Sequence, residues 1–188
     1  MTALWMSFFV VALAEMGDKT QLVALALSAR FRRPWTVMLG ILIATTLNHA
    51  LAATAGVWVA RRLPPAALAW ALAIGFIAFG IWTLVPDHAP ETAAPTRWGP
   101  LVTTVVVFFI AEMGDKTQLA TVALGARFVS AGWVTAGTTL GMLAADGAVV
   151  FGGSYLARLV SPGMLRRIAA ALFLILGLAA LAGALRMS

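Results

Sequence analysis

Five carboxylates in this chain stand where carboxylates are costly. Glu15, Asp18, Glu112, Asp115 and Asp146 all interrupt long apolar runs, and so do its two lysines, Lys19 and Lys116. At the centre of a membrane helix each charge costs about 2.5–3.5 kcal/mol, so seven cost on the order of 20 kcal/mol if nothing compensates them. Folded membrane proteins turn such groups inward, pair them, and use them where ions or protons pass. On a continuous helix Glu15 and Asp18 are three residues apart and share a face, as do Asp18 and Gln21. Glu112, Asp115 and Gln118 repeat that spacing. Each half thus offers two carboxylates and an amide oxygen, to which Thr20 and Thr117 add hydroxyls. Gly17 and Gly114, between the acids, permit either close approach of a neighbouring helix or local unwinding that frees carbonyl oxygens. Such an all-oxygen set suits Mg²⁺, Ca²⁺ or Mn²⁺ rather than copper or zinc. Four acids and two lysines leave a net charge of −2, which one divalent cation neutralises. With no ion bound, the lysines are expected to pair with the carboxylates.

The elements that position these residues are read from hydropathy and repetition. The 188 residues are 62% hydrophobic and 11% charged, against about 25% charged residues in a soluble domain. This is the composition of an integral membrane protein, and it excludes a disordered chain. Six apolar runs are long enough to span: Leu4–Ala29, Trp35–Ala60, Ala66–Val85, Leu101–Ala126, Trp133–Ala157 and Met164–Leu185. Pro34, Pro64–Pro65 and Pro162 mark the joints, and Asp87–Pro100 is the one longer polar stretch. A shift of 97 residues lays the chain on itself without gaps. Ala14–Leu22 is identical to Ala111–Leu119, and the same offset pairs Gly40 with Gly137, Gly56 with Gly153, Phe76 with Phe173 and Gly80 with Gly177. The expected fold is therefore an all-α integral membrane protein of six transmembrane helices. Residues 1–86 form a first three-helix repeat, 87–100 a polar linker, and 101–188 a second three-helix repeat. An odd number of spans per half makes the repeats inverted, an architecture of secondary transporters, and brings the two motifs together near the midplane. With the amino terminus outside, seven arginines (30, 32, 33, 97, 158, 166 and 167) face the cytoplasm against four outside (61, 62, 127 and 186). This bias favours that orientation and a cytoplasmic linker.

The remaining residues sort by the bland reading and the functional one. Met16 and Met113 are expected to pack rather than ligate. Asn48 and Asp146 are candidates to line the site; His49, at the position that pairs with Asp146, is a weaker one, and His88 falls in the linker. Gly137, Gly141 and Gly152–Gly153 read as helix-contact positions. Trp5, Trp35, Trp98 and Trp133 lie near span ends, as an aromatic belt requires. With no Cys, disulfides, thiolate zinc and iron–sulfur clusters are excluded. The basic residues form no stripe, which argues against a nucleic-acid partner.

Glu-Met-Gly-Asp-Lys-Thr-Gln, present twice, resembles the E-x-G-D-[KR]-[TS] signature of a small membrane family of manganese/calcium transporters. Its members include bacterial manganese exporters and Golgi and chloroplast transporters. The resemblance covers nearly the whole chain. It implies exchange of divalent cations for protons, with no enzyme activity and no cofactor. It places the cation site on Glu15, Asp18, Glu112 and Asp115, with Thr20, Gln21, Thr117 and Gln118 lining it. Together with the reading of the residues themselves, the expected metal set is Glu15, Asp18, Gln21, Glu112, Asp115 and Gln118, with Lys19, Thr20, Asn48, Lys116, Thr117 and Asp146 lining it. In that family an Asn is expected near Asp146, which makes Asp146 an extra acid here. The expected protein is a cation/proton antiporter of the cytoplasmic membrane exporting Mn²⁺, with Ca²⁺ as second substrate. Desolvation favours a protonated carboxylate and a divalent cation an ionised one, so the same acids hold protons or metal in turn. A channel or uniporter with an acidic filter is the alternative; it would pass metal without proton coupling. Its partners are the cation, protons and the lipid bilayer, and a homo-oligomer is compatible with all of this.

Overall fold

The computed structural model describes residues 1–85, 98–159 and 162–187, with the side chains of 154–159 and 162 excepted. Among these residues the chain is all-helical: α1 (Thr2–Glu15), α2 (Lys19–Phe31), α3 (Pro34–Ala60), α4 (Pro65–Thr83), α5 (Pro100–Glu112), α6 (Lys116–Phe128), α7 (Ala131–Leu159) and α8 (Pro162–Leu185). Proline opens α3, α4, α5 and α8, where its missing N–H is no loss and its fixed φ suits the first turn. Four stretches are long and apolar enough to cross a membrane: Pro34–Ala60, Pro65–Thr83, Ala131–Gly153 and Gly163–Leu185. The chain is a multi-pass membrane protein. Most of the expected linker, 87–97, with His88 and Arg97, lies outside the described residues, as does the side chain of Arg158.

Two expected spans are not continuous helices. Leu4–Ala29 divides into α1 and α2, and Leu101–Ala126 into α5 and α6. At the breaks Gly17 has φ 87° and Gly114 has φ 78°, a left-handed conformation that glycine adopts without the Cβ clash. Met16, Asp18, Met113 and Asp115 beside them are extended. The i,i+3 ladder on one helical face therefore does not exist; each pair of acids straddles a break instead. A third departure lies in α7, where Gly153 takes φ 60°, ψ −159° and kinks the helix.

The two halves meet through reciprocal contacts. A Cβ on Gly80 would lie 2.8 Å from Leu174 and 3.2 Å from the Ala170 carbonyl oxygen. A Cβ on Gly177 would lie 2.7 Å from Ile77 and 3.3 Å from the Ala73 carbonyl oxygen. Adding 97 to Gly80, Ile77 and Ala73 gives Gly177, Leu174 and Ala170, so α4 and α8 make on each other the same contact, as a twofold requires. Phe76 and Phe173, equivalent by the same shift, stack with centroids 6.4 Å apart beside them. The α3–α5 contact, with Gly40 against Thr104 and the Leu101 carbonyl, is likewise the image of the α1–α7 contact, with Gly137 against Ser7 and the Leu4 carbonyl. Gly141 packs on the Phe8 carbonyl, so the contact role expected of Gly137 and Gly141 holds, whereas no described atom lies within 4 Å of a Cβ on Gly153. Gly80→Ala and Gly177→Ala should each cost about 1–3 kcal/mol by overpacking. Thermal unfolding in detergent will read this as a lowered midpoint, whereas Gly183→Ala, with open space around its Cα, should leave the midpoint unchanged or higher.

Candidate metal centre

The helix breaks bring together acids distant in sequence. Glu15 ends α1, Glu112 ends α5, and Asp115 precedes α6; all three are buried, and one carboxylate oxygen from each lies within 4.8 Å of the others. Both repeats contribute to this triad. Asp18, equivalent to Asp115, is 7% exposed and precedes α2. At an effective dielectric constant of ~20, two unit charges at that separation repel by about 3–4 kcal/mol. Three ionised carboxylates so placed need a cation or protons among their oxygens.

The local backbone completes the arrangement. The Gly17 N–H donates to Gln21 Oε1 at 2.9 Å, and the Gly114 N–H donates to Gln118 Oε1 at 2.8 Å. The Asp18 N–H returns to the Glu15 carbonyl, and the Asp115 N–H to that of Glu112. Each glutamine therefore clamps the break that precedes its own helix. Gln21 Nε2 donates across to the Ala145 carbonyl at 2.8 Å, whereas Gln118 Nε2 donates to Asn48 Oδ1 at 3.0 Å. Asn48 Nδ2 in turn holds the Phe109 carbonyl at 3.0 Å. The amide oxygens expected as ligands thus already accept one hydrogen bond each. The C-terminal ends of α1 and α5 and the N-terminal ends of α2 and α6 all meet at the breaks. Their free carbonyls suit a cation and their free N–H groups suit carboxylates.

The two repeats are not in the same state. Glu15 accepts the hydroxyl of Thr20 at 2.6 Å and also that of Thr117 from the other repeat. Both oxygens of Glu112 are buried with no hydrogen-bond partner among the described residues, and so is Asp115 Oδ2. Lys19 Nζ reaches across to Asp115 Oδ1 at 2.7 Å, the pairing the sequence led us to expect. Lys116, 6% exposed, donates to the Val85 carbonyl at 3.3 Å and lies 6.0 Å from the Trp82 ring. Asp146 is fully buried on α7, within electrostatic reach of Glu15 and Glu112, and neither of its oxygens is hydrogen-bonded among the described residues. It lies next to the Ala145 carbonyl that Gln21 holds. His49 is equally buried, and neither ring nitrogen has a partner among the described residues, but it is not part of the cluster. Met113 is 61% exposed, on no ligand set.

Sequence reasoning missed three participants: the Ala145 and Phe109 carbonyls and the crossing of Thr117 to Glu15. Backbone carbonyls leave no mark in a sequence. Thr117 is visible only as a motif residue whose partner lies in the other copy.

Buried acids from two broken-helix motifs, set among long apolar helices, define a membrane protein that handles cations. The chain belongs to the family described as "Divalent cation/proton antiporter GDT1", which matches it twice, over residues 3–91 and 100–188. It is 46% identical over 180 residues to a "Putative manganese exporter" of Vibrio cholerae, covering 95% of this chain and 90% of the relative. A GDT1-like protein of Synechocystis is 27% identical, covering 92% and 93%. The chloroplastic PAM71-homolog of Arabidopsis thaliana is 29% identical, covering 94% of this chain and 58% of that protein. No solved structure matches. As a member of an antiporter family the chain is a transporter and not an enzyme; the cation is its substrate, and no cofactor is called for.

Lys19→Gln leaves the buried Asp115 carboxylate without its cation. The ion-free protein should lose on the order of 3 kcal/mol of stability, read as a lowered unfolding midpoint in detergent. Saturating Mn²⁺ should recover most of the loss, because the metal replaces the missing charge.

Proposed function

We propose that the chain exports Mn²⁺ in exchange for protons through a site shared by both repeats. The observation that carries this reading is the Glu15–Glu112–Asp115 triad, set at two helix breaks from opposite halves. Its hard oxygen donors suit Mn²⁺ and Ca²⁺ alike. The 46% identity to a relative named a manganese exporter favours Mn²⁺ as first substrate and leaves Ca²⁺ second. Glu15, Glu112, Asp115 and Asp18 bind the ion. Gln21 and Gln118 brace the breaks and offer their remaining lone pairs, and Thr20, Thr117, Asn48, Lys19, Lys116 and Asp146 line the cavity.

Length supports a midplane site. α1 has 14 residues and α2 has 13, about 20 Å each at 1.5 Å per residue. Joined end to end they cross a bilayer of about 30 Å with the break near its middle. α5 and α6 do the same with 13 residues each. On this reading the chain has six spans: the two broken ones and α3, α4, α7 and α8. Three per half make the halves, 1–86 and 101–188, inverted repeats joined by the 87–100 linker. The arginine bias puts the amino terminus outside and the linker in the cytoplasm, in the inner membrane of a bacterium.

Protons and metal compete for one set of oxygens. A divalent ion entering the triad displaces protons, and protons entering from the other side release the ion. Rocking of the halves about the fixed site couples the two fluxes. In proteoliposomes an outward proton gradient should drive Mn²⁺ uptake, with proton movement that depends on Mn²⁺. Ca²⁺ should support a slower exchange. Glu15→Gln with Glu112→Gln should lower the exchange rate more than tenfold. Metal flux that proceeds without proton movement would establish the uniporter instead.

A further inference from the structure

The twofold seen at α4–α8 and at α1–α7 with α3–α5 also fails where α6 meets α3. α6 is seated on α3 with no space between backbones. A Cβ on Gly56 would lie 2.0 Å from the Val122 carbonyl oxygen and 2.8 Å from the Ala126 nitrogen, and a Cβ on Gly125 would lie 2.5 Å from the Ala53 carbonyl oxygen. The shift of 97 makes the equivalent contact one of α2 on α7, with Leu25 and Ala29 on Gly153 and Ser28 on Val150. That contact is only partly made: Val23, Ala24 and Leu27 share a buried apolar cluster with Val149 and Val150, but its end at Gly153 is loose among the described residues. No described atom lies within 4 Å of a Cβ built on Gly153, and the helix is kinked there. The Ser28 hydroxyl donates to the Val150 carbonyl at 3.3 Å. The exposures agree: Ala126 is 4% and Ala123 is 9% exposed, whereas their equivalents Ala29 and Ala26 are exposed.

We infer that α2 and α6 are a pair of gates that seat alternately on α7 and α3. The contact that α6 makes with Gly56 in this structure is the one α2 makes with Gly153 in the exchanged state. Gly153 then has two duties. In the open state it kinks α7 with a positive φ, and in the closed state, straightened as Gly56 is in α3, it admits the α2 backbone. Both duties require the absence of a side chain. This rests on the exchange reading and on its orientation. With the amino terminus outside, α2 is the cytoplasmic half of its span and α6 the outer half of its own. Among the described residues, the seat that is closed then lies on the outer side and the loose one on the cytoplasmic side, as in a state that loads an ion for export.

The chain has no cysteine, so paired nitroxide labels report cleanly. The pairs Arg30→Cys/Phe151→Cys and Arg127→Cys/Thr54→Cys are equivalent under the shift of 97, and all four positions are exposed. In proteoliposomes, pulsed dipolar spectroscopy at acidic pH without metal and at saturating Mn²⁺ should give reciprocal changes. Whenever the 30–151 distance shortens, the 127–54 distance lengthens. Gly56→Ala, which puts a methyl group against the Val122 carbonyl, should on its own shift the population toward long 127–54 and short 30–151 distances. If transport continues while both distances stay fixed or move in the same sense, or if Gly56→Ala leaves both distributions unchanged, the gate is overturned. Should Gly56→Ala not fold, the distances in the otherwise native chain decide alone. Metal flux measured in the same vesicles separates the two ideas: uncoupled flux with reciprocal distances overturns the exchange reading and supports the gate.

Discussion

Carboxylates crowded into an apolar interior impose the constraint that the rest of this structure answers. Glu15, Glu112 and Asp115 place oxygens within 4.8 Å of one another, with Asp18 and Asp146 within electrostatic reach of Glu112. Their mutual repulsion and lost hydration would dominate the energetics of a domain of this size if all were charged and unaccompanied. The site is stable only with positive charge delivered to it, as metal, as protons or as lysine. A group of acids whose tenancy must change is the chemical core of an exchanger.

The helix breaks are the means of holding such a group. A continuous helix satisfies its own backbone and offers a cation only side chains. Interrupting it at Gly17 and Gly114 exposes unbonded carbonyls on one side and N–H groups on the other, at the depth where the acids lie. A break inside a membrane leaves polar groups in need of partners. Gln21 and Gln118 supply them, since each amide oxygen takes the glycine N–H and each amide nitrogen ties the break to α7 or α3. Lys19, at the N-terminal end of α2, stands where the helix dipole disfavours a cation; its bond to Asp115 offsets that and ties the two breaks together.

Much of this was legible in the residues. The apolar runs marked the membrane class and the prolines marked helix starts, because both follow from local rules about water and backbone donors. The 97-residue shift matched Gly80 with Gly177 and Phe76 with Phe173, which the structure brings face to face as a reciprocal contact. The four motif acids were singled out by charge alone, and three of them form the triad. What the sequence left open was whether Gly17 and Gly114 permit packing or unwinding. Glycine supports both, and only the φ values decide. The kink at Gly153 was not legible, since Gly56, its equivalent, lies in an unbroken helix with the same residue type.

That last difference has a physical reason. Two identical motifs related by a twofold would settle into identical surroundings if the contacts on both sides could close together. With α2 and α6 both seated, the acids would be sealed from water on each face, with no route for an ion. With neither seated, the site would leak. The chain resolves this by giving the two contacts unequal partners. α6 presents Gly125 to Ala53, so backbones touch, while α2 presents Ser28 to Val150, whose carbonyl accepts the serine hydroxyl at 3.3 Å. Ser28 against Gly125 is one of four differences between the two helices, and it falls at the contact itself. The acids differ as well: Glu15 accepts two threonine hydroxyls and Glu112 accepts none among the described residues. Identical sequence at the two breaks thus stands in unlike surroundings.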